Sequence, residues 1–259
     1  MKIAIMQPYV FPYIGYFQLI HAADVFVFYD DVNYINKGWI NRNRILLNGE
    51  DYLFTIPCKE ASQNKLIKDI DLQDDKKSLD KLLATIRVAY AKAPYFNDVF
   101  PLIEGTLLAQ GIMVLPQQLP TSAFPGLSYE VPVLENTASI SGLCISSVVN
   151  ICNYLGLQRT FKISSIEYNN RELKKADRLI DICKLEGIKH YINPSGGKEI
   201  YTKEYYSERG IDLSFLIPNR VEYPQFNNAF VPWLSVIDVL MFNSKDEIND
   251  KILPSYSLE

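Results

Sequence analysis

The amino-acid sequence predicts an α/β fold: a Rossmann-like parallel sheet core with a β-hairpin and a helical lobe. An apolar strand, Ile3–Met6, leads through a helix-forming segment into a second apolar strand, Val25–Tyr29, an order typical of parallel sheets. Asn48 and Gly49 lie between two β-rich runs, and this dipeptide is a strong hairpin signal. The middle of the chain carries apolar residues at helical spacing.

The remaining elements follow in chain order. The hairpin strands are predicted near Trp39–Leu47 and Tyr52–Pro57. Helical spacing and terminal glycines predict helices at about Ser78–Ala91, Tyr95–Ala109, Thr137–Leu155 and Arg171–Glu186. Short β-rich runs predict strands at Thr160–Ile163, His190–Asn193 and Asp212–Leu216. The chain then predicts a helix starting at Pro232 and another that Ser244 and Glu247 begin with a capping box.

We predict one domain over residues 1–259, made of three parts. Residues 1–75 hold the Rossmann-like start and the hairpin, residues 76–155 the helical lobe, and residues 156–259 the return to the α/β core. Four prolines and Gly126 between residues 116 and 132 predict an irregular loop. This loop is the clearest internal boundary and a candidate lid.

The composition narrows the class of protein. Hydrophobic residues make up 48% and charged residues 22% of the chain, so a sizeable core is expected. A net charge of −4 argues against nucleic acid as a partner. No apolar run approaches the ~20 residues that span a bilayer, and the N-terminus is a strand without a basic leader. We therefore expect a cytoplasmic protein with no membrane span.

The cysteines and histidines predict neither a disulfide nor a metal site. The two histidines, His21 and His190, are far apart in sequence, and no CxxC or HxxxH spacing occurs. The four cysteines are scattered, at Cys58, Cys144, Cys152 and Cys183. Core packing of reduced thiols is the better interpretation.

The loop after the first strand is the first candidate site. In a parallel α/β sheet, ligands bind beyond the carboxyl ends of the strands, where this loop lies. It carries uncharged polar groups among aromatics, namely Gln7, Tyr9, Tyr13 and Tyr16. Gly15 would give a ligand clearance to the backbone. The alternative is that the tyrosines merely pack the helix on the sheet.

Asp30 and Asp31, which end the second predicted strand, are the second candidate. Adjacent strand residues face opposite ways, so we expect one of the two to face the site. Its carboxylate would bind a sugar hydroxyl, deprotonate an amine or hold a magnesium ion. The alternative is a helix cap or a turn residue.

The first hairpin strand supplies an anion-binding candidate. Strand alternation places Arg42 and Arg44 on one face and Asn41 and Asn43 on the other, with Lys37 just before. Two arginines on one face suit a phosphate or a carboxylate. The alternatives are a solvated face or a structural ion pair. Asp238, inside an apolar run, is one partner for such a pair, because a buried carboxylate needs one.

Two further turns contain small polar residues. Ser195, Gly196 and Gly197 follow a predicted strand, and such a turn can cradle an anion with its backbone N–H groups. Ser164 and Ser165 precede Arg171 more loosely, and we interpret them as a turn and a helix cap.

Several segments resemble the WbqC-like family. They are MQPYVFPYIGYFQLIHAADVFVFYDDV, KGWINRNRIL, ADRLIDICKLEGIKHYINPSGGKEIY and EYPQFNNAFVPWLSVIDVLMFN, together with the YLGL that begins at Tyr154. Family members are encoded in bacterial O-antigen and other surface-polysaccharide clusters. The resemblance implies transfer of glycine or a similar acyl group, and it strengthens the case for the Gly196–Gly197 turn.

A remoter similarity concerns the first helix. A strand, a proline, then Tyr13-Ile14-Gly15-Tyr16 resembles the layout of the HxGH nucleotidylyl transferases, which implies nucleotide binding. Both histidine positions hold tyrosine here. Tyrosine donates a hydrogen bond to a phosphate oxygen but brings no positive charge at neutral pH.

We therefore expect an enzyme that joins an amino acid, such as glycine, to a nucleotide-linked amino sugar. Its acyl group would come from a preformed donor or from activation by ATP with Mg²⁺. The catalytic candidates are Asp30, Asp31 and Tyr16. The substrate-binding candidates are Gln7, Tyr9, Tyr13, Gly15, Lys37, Asn41, Arg42, Arg44, Ser195, Gly196 and Gly197. The alternatives are a non-catalytic sugar-nucleotide-binding or assembly protein and a nucleotidylyl transferase.

Overall fold

A computed structural model describes residues 1–109 and 138–259 of the chain. The proline-rich loop predicted at residues 116–132 lies outside these residues. Within them the chain forms eight strands, β1 (Lys2–Met6), β2 (Val25–Phe28), β3 (Arg42–Leu47), β4 (Glu50–Thr55), β5 (Thr160–Ile163), β6 (His190–Pro194), β7 (Asp212–Pro218) and β8 (Tyr256–Leu258).

The described helices include the predicted ones, with ends that differ by a few residues, and two short helices that were not predicted, Ser164–Glu167 and Lys203–Ser207. In chain order the described helices are α1 (Ile14–Ala22), α2 (Lys76–Tyr90), α3 (Phe96–Leu108), α4 (Ile140–Leu155), α5 (Ser164–Glu167), α6 (Lys175–Leu185), α7 (Lys203–Ser207), α8 (Val236–Phe242) and α9 (Lys245–Glu247). Gly156 and Gly187 end α4 and the α6 region with φ angles of 72° and 65°, a left-handed conformation that glycine adopts without strain. Ser244 and Glu247 form the predicted capping box of α9.

Six strands form the central sheet in the order β5-β2-β1-β6-β7-β8. The first five are parallel to one another, and β8 pairs antiparallel with β7. Counted along the chain, the parallel strands therefore lie in the order 3-2-1-4-5, which is the Rossmann order. The predicted α/β fold with a Rossmann-like core is confirmed.

Both faces of the sheet are buried. Alternation along β1 and β2 sends Ala4, Phe26 and Phe28 to one hydrophobic cluster, and Ile3 and Val25 to another. Every residue of β2 is buried, as expected for a central strand of a parallel sheet covered on both sides.

The separate hairpin of β3 and β4 is confirmed. Leu47 pairs with Glu50, which leaves Asn48 and Gly49 as a two-residue turn with φ angles of 54° and 82°. Positive φ at both central positions is what this turn type requires, and asparagine and glycine tolerate it.

The helix predicted from Pro232 begins four residues later, at Val236, and the prediction of its start is wrong. Trp233 has a φ angle of 61°, which no residue inside a right-handed helix can adopt. Ser235 caps the helix instead, since its hydroxyl accepts from the Ile237 N–H.

All four cysteines lie in the described residues and are free thiols, three of them buried. Burial raises the pKa of Cys58 to about 11 and that of the Cys183 thiol to about 12. Neutral, buried thiols agree with the predicted core role. Among residues 1–109 and 138–259, no helix has the length and apolar character to cross a bilayer.

Candidate active site

A cleft opens at the topological switch point of the sheet. The chain leaves β1 toward β2 on one side, whereas β6 pairs with β1 on the other, so the loops after β1 and β6 diverge. The cleft measures about 290 Å³ and is lined by Tyr9, Pro12, Tyr13, Trp39, Asn43, Arg44, Ser195, Pro218 and Trp233. This is the place where open α/β sheets bind ligands.

The loop after β1 is fixed by side chains from distant elements. Nδ2 of Asn43 donates to the carbonyls of Val10 and Phe11, at 3.2 and 2.7 Å. The hydroxyl of Ser235 donates to the same Phe11 carbonyl at 2.7 Å, and that of Ser147 accepts from the Phe11 N–H. Phe11 has a φ angle of 42°, a strained value that persists because these bonds over-determine it.

Tyr16 lies beneath this loop and does not line the cleft. Its ring is buried against Tyr9 and Phe26, and its hydroxyl donates to the Gln7 carbonyl at 2.9 Å. Burial raises the pKa of Tyr16 well above its usual value, so the hydroxyl stays neutral. The geometry makes Tyr16 a support for Gln7, whose own Oε1 lies 3.4 Å from the Tyr9 hydroxyl.

The space in front of Gly15 is filled by the protein itself. A Cβ at Gly15 would lie within 2.6 Å of several atoms of the Tyr13 ring. The missing side chain of Gly15 thus gives room to Tyr13 in its present position, and clearance for a ligand there stays a prediction.

Both tryptophans of the chain line the cleft. Trp39 is 42% exposed and Trp233 is 53% exposed. The Trp233 ring meets Tyr13 edge to face with centroids 6.2 Å apart. Large apolar side chains left exposed beside a cleft indicate a binding surface for a ring or a sugar face.

Two arginines of β3 lie beside Trp39, and one of them, Arg44, lines the cleft. Arg42 and Arg44 share a face, as predicted, and their guanidinium carbons lie 5.8 and 5.4 Å from the Trp39 ring centre. Arg44 pairs with Asp51 at 3.1 Å. Arg42 donates to the carbonyls of Gly38 and Lys37, and in the described part of the chain no carboxylate neutralises it.

Other predicted binding residues fall at or behind the cleft. Ser195 lines it and begins a 3-10 turn, Ser195–Glu199, in which Gly196 is exposed. Gly197 is buried, and a Cβ there would meet the Asn193 side chain at 2.2 Å. Asn41 lies away from the cleft, where it bonds the Tyr34 hydroxyl and the Ile56 carbonyl.

Asp30 and Asp31 end β2 at the same edge of the sheet, but neither lines the cleft. Both lie past the last strand residue, so strand alternation does not apply, and both turn toward Ser164. Asp30 accepts from the Ser165 N–H at 3.0 Å and from its hydroxyl at 2.7 Å. Burial raises the pKa of Asp30, and the hydrogen bonds from Ser165 oppose that shift.

Asp31 is held in a buried ion pair. Its Oδ2 lies 2.5 Å from Nη2 of Arg178, whose side chain is almost fully buried. Arg171 approaches the same oxygen at 4.0 Å from the surface. A role for Asp30 or Asp31 as a base stays a prediction, and the observed bonds describe a buried network that joins β2, α5 and α6.

The alternative in which an arginine of β3 pairs with Asp238 does not occur, and Asp238 instead has other buried partners. The Asp238 carboxylate is fully buried and accepts from the Tyr90 hydroxyl at 2.9 Å, from the Tyr223 hydroxyl at 2.8 Å and from Gln225 Nε2 at 2.6 Å. Neutral donors satisfy it because it faces α2 and the segment before α8, whereas Arg42 and Arg44 lie beside Trp39. Burial raises the pKa of Asp238, and these hydrogen bonds oppose the shift.

Sequence reasoning missed the two tryptophans as cleft residues. The composition contained a signal for this role. Hydrophobic residues make up 48% of the chain, so the core can be filled without its two tryptophans, which are then available to a binding surface. The sequence placed Asn43 correctly on a strand face. Its bonds to the loop after β1 could not be predicted, because the partners are more than thirty residues away in sequence.

The chain was also compared with known proteins. A family model described as the WbqC-like protein family matches residues 7–118 and 128–250. A protein of Mycobacterium tuberculosis, named as the uncharacterised protein Rv1507c, is 25% identical over 253 residues, which cover 96% of each chain. No solved structure matches at a significant level.

Proposed function

The chain belongs to the WbqC-like protein family, and from that membership and the cleft we propose a function in bacterial surface-polysaccharide synthesis. In this proposal the protein is an enzyme that joins an amino acid, with glycine as the first candidate, or a similar acyl group to a nucleotide-linked amino sugar. The switch-point cleft would bind the sugar nucleotide.

One observation carries the proposal: both exposed tryptophans line the same cleft as Arg44, and Arg42 lies against the ring of one of them, Trp39. Planar or apolar ring faces bind aromatic side chains, and diphosphates bind arginine. A nucleotide-linked sugar presents both features a few ångströms apart. Arg42 and Lys37 would take the diphosphate, because neither has a carboxylate partner among the described residues.

The proposed reaction forms one amide bond. The nitrogen of the sugar amine attacks the acyl carbon, the N–C bond forms, and the bond from that carbon to its leaving group breaks. The leaving group is a phosphate oxygen if ATP with Mg²⁺ activates the amino acid, or a thiol if a preformed thioester is the donor. Asp30 and Asp31 are already bonded to Ser164, Ser165 and Arg178, so we assign the released proton to solvent.

The rate would come from positioning the two reactants and from hydrogen bonds to the developing charge, rather than from an activated nucleophile. Tyr9, Ser195 and Tyr13 are the cleft-lining hydroxyls that can donate such bonds. Burial raises the pKa of Tyr9 to about 12, which keeps its phenol a donor at neutral pH.

Incubation of the protein with uridine- and thymidine-diphosphate amino sugars, glycine and ATP tests the proposal. We expect a sugar nucleotide heavier by one glycyl group, with release of AMP or ADP, or the same product from a glycyl thioester without ATP. Arg42→Gln should lower the yield, whereas Lys245→Gln, on the surface of α9, should not. No product with any donor would contradict the enzymatic proposal.

A non-catalytic sugar-nucleotide-binding protein is the second candidate. It is favoured by the cleft lining, because no histidine, cysteine or carboxylate occurs among the described residues that form it. Binding of the sugar nucleotides without turnover would support it. Nucleotidylyl transfer, which predicts pyrophosphate release without an amino acid, is less favoured because the Tyr16 hydroxyl is occupied by the Gln7 carbonyl.

A further inference from the structure

The segment between β7 and α8, residues 219–235, crosses the protein without a regular helix or strand. We call it the strap. It brings Trp233 to the cleft and ends at Ser235, which bonds the loop after β1. Loops of this length without secondary structure are uncommon in compact domains and are usually functional.

A single buried amide fixes the middle of the strap. Gln225 is 1% exposed, and its Oε1 accepts from the Val231 N–H at 2.7 Å. Its Nε2 donates to the Val231 carbonyl at 3.1 Å and to Asp238 at 2.6 Å. Both ends of the amide are therefore used, and Val231 is held on both of its backbone polar groups.

Asp238 ties this amide to the core. The carboxylate also accepts from Tyr90 of α2 and from Tyr223 of the strap. The Tyr90 hydroxyl in turn accepts from the Leu46 N–H on β3. A continuous set of hydrogen bonds thus runs from the hairpin through Asp238 and Gln225 to Val231, two residues before Trp233.

The backbone after Trp233 is anchored by buried Leu234 and by Ser235, whose N–H donates to the Arg44 carbonyl at 2.8 Å. Trp233 itself makes few contacts. Its φ angle of 61° is unfavourable for a bulky residue, and half of its side chain is exposed. Its described contacts are the edge of Tyr13 and a long hydrogen bond from Arg44 to its carbonyl, at 3.4 Å. A strained, exposed tryptophan persists where the surrounding backbone is fixed, and at such sites strain commonly accompanies function.

We propose that Trp233 stacks on the nucleobase of the bound sugar nucleotide and that Gln225 is the positioning residue that holds Trp233 in the cleft. The first half rests on the proposed function, because it needs a nucleotide ligand. The second half concerns the protein alone and can be tested without any ligand.

The ligand-free test uses Trp39→Phe, which leaves Trp233 as the sole tryptophan reporter. In that background we expect Gln225→Met, which keeps the volume but loses the amide, to increase quenching of Trp233 by iodide and to lower its fluorescence anisotropy. Val88→Ala, at an exposed position of α2, is the control. Unchanged quenching and anisotropy in a folded Gln225→Met protein would overturn the positioning role.

Gln225→Glu keeps the test decisive if the methionine variant does not fold. It retains the acceptor for the Val231 N–H but replaces the donor that faces Asp238 with a carboxyl group. Among the neighbouring groups, Tyr90 and Tyr223 also face Asp238, and both donate to it. We expect wild-type Trp233 quenching at acidic pH, where the new carboxyl is protonated and donates, and increased quenching at neutral pH. Quenching equal to wild type at both pH values would overturn the role.

The ligand test compares uridine diphosphate with inorganic pyrophosphate by calorimetry. Loss of base stacking in Trp233→Ala should weaken uridine diphosphate roughly 5- to 150-fold and leave pyrophosphate unchanged. Gln225→Met should change the same ratio in the same direction, which a merely global loss of stability would not do. An equal loss for both ligands would overturn the stacking role of Trp233. If wild-type protein binds neither uridine nor thymidine diphosphate, the proposed function and the stacking role fail together, while the fluorescence test still decides the role of Gln225.

Discussion

At the scale of single residues, three tyrosines close together in sequence, Tyr9, Tyr13 and Tyr16, have different roles. Tyr13 and Tyr9 line the cleft, whereas Tyr16 lies one helical turn below and bonds the backbone. The difference follows from helix geometry, because Tyr16 is on the face of α1 that packs on the sheet. Residue type alone did not separate the three.

Tyr16→Phe should therefore destabilise the protein. It leaves the Gln7 carbonyl without its donor at a partly buried position, at a cost of about 1–3 kcal/mol in the free energy of unfolding. Tyr205→Phe, which removes an exposed hydroxyl bonded to Asp177, is the matched control and should cost less. Urea unfolding measures both. Equal losses in the free energy of unfolding would contradict a larger contribution from the bond between Tyr16 and the Gln7 carbonyl.

Asp238 should make the stability of the protein depend on pH. Burial raises its pKa in the folded protein above the value of about 3.9 expected in the unfolded chain. Between these two values the folded state keeps a proton that the unfolded state has lost, so the free energy of unfolding falls as the pH rises. Wild-type protein should lose stability relative to Asp238→Asn as the pH is raised from about 4 to 7.

Urea unfolding at several pH values checks this dependence. Asp212→Asn, at an exposed position, is the control for a general effect of removing a carboxylate. A difference between wild type and Asp238→Asn that stays constant with pH, or changes in the opposite direction, would contradict the raised pKa.

At the scale of elements, the two faces of strand β3 have different roles. Its buried side presents Asn43 to the carbonyls of the loop after β1, and its other side presents Arg42 and Arg44 to Trp39. One strand thus fixes the shape of the cleft and supplies its charge. The alternation of a strand is sufficient for this division.

Asn43→Ala should loosen the loop after β1. It removes two hydrogen bonds to the carbonyls of Val10 and Phe11, and the strained φ angle of Phe11 then loses part of its support. We expect a loss of about 1–3 kcal/mol in unfolding free energy and faster amide hydrogen exchange in residues 7–13. Asn33→Ala, whose amide bonds the Gln63 carbonyl at an exposed site, is the control. Unchanged exchange in residues 7–13 would rule out this anchoring role.

Turns and helix ends that depend on residues adjacent in sequence could be predicted. Asn48-Gly49 fixed the hairpin turn, and Ser244 with Glu247 marked the start of α9. The start of α8 was not predictable from periodicity, because long-range hydrogen bonds hold the segment before it, from the Val231 N–H to Gln225 and from the Ser235 N–H to the Arg44 carbonyl. Where a distant contact decides a backbone angle, a local pattern cannot report it.

At the scale of the whole molecule, the strand order decides where the cleft lies. Sequence patterns predicted β1 to β7, but neither β8 nor the pairing of β6 with β1, which places Ser195 beside Tyr9 and Tyr13. The partners of Asp238 were missed for the same reason, since Tyr90 is 148 residues away along the chain. The edge of the sheet at which the cleft opens could be predicted, whereas the residues that line the cleft could not.

The most direct test of the cleft as a nucleotide-sugar site is a crystal structure of the protein soaked with a uridine-diphosphate amino sugar. We predict density in the switch-point cleft, with the base against Trp233 and the diphosphate toward Arg42 and Lys37. Density in the wider depression beside Asn48, Lys92 and Phe226, or beside Asp30, with an empty switch-point cleft, would contradict this assignment.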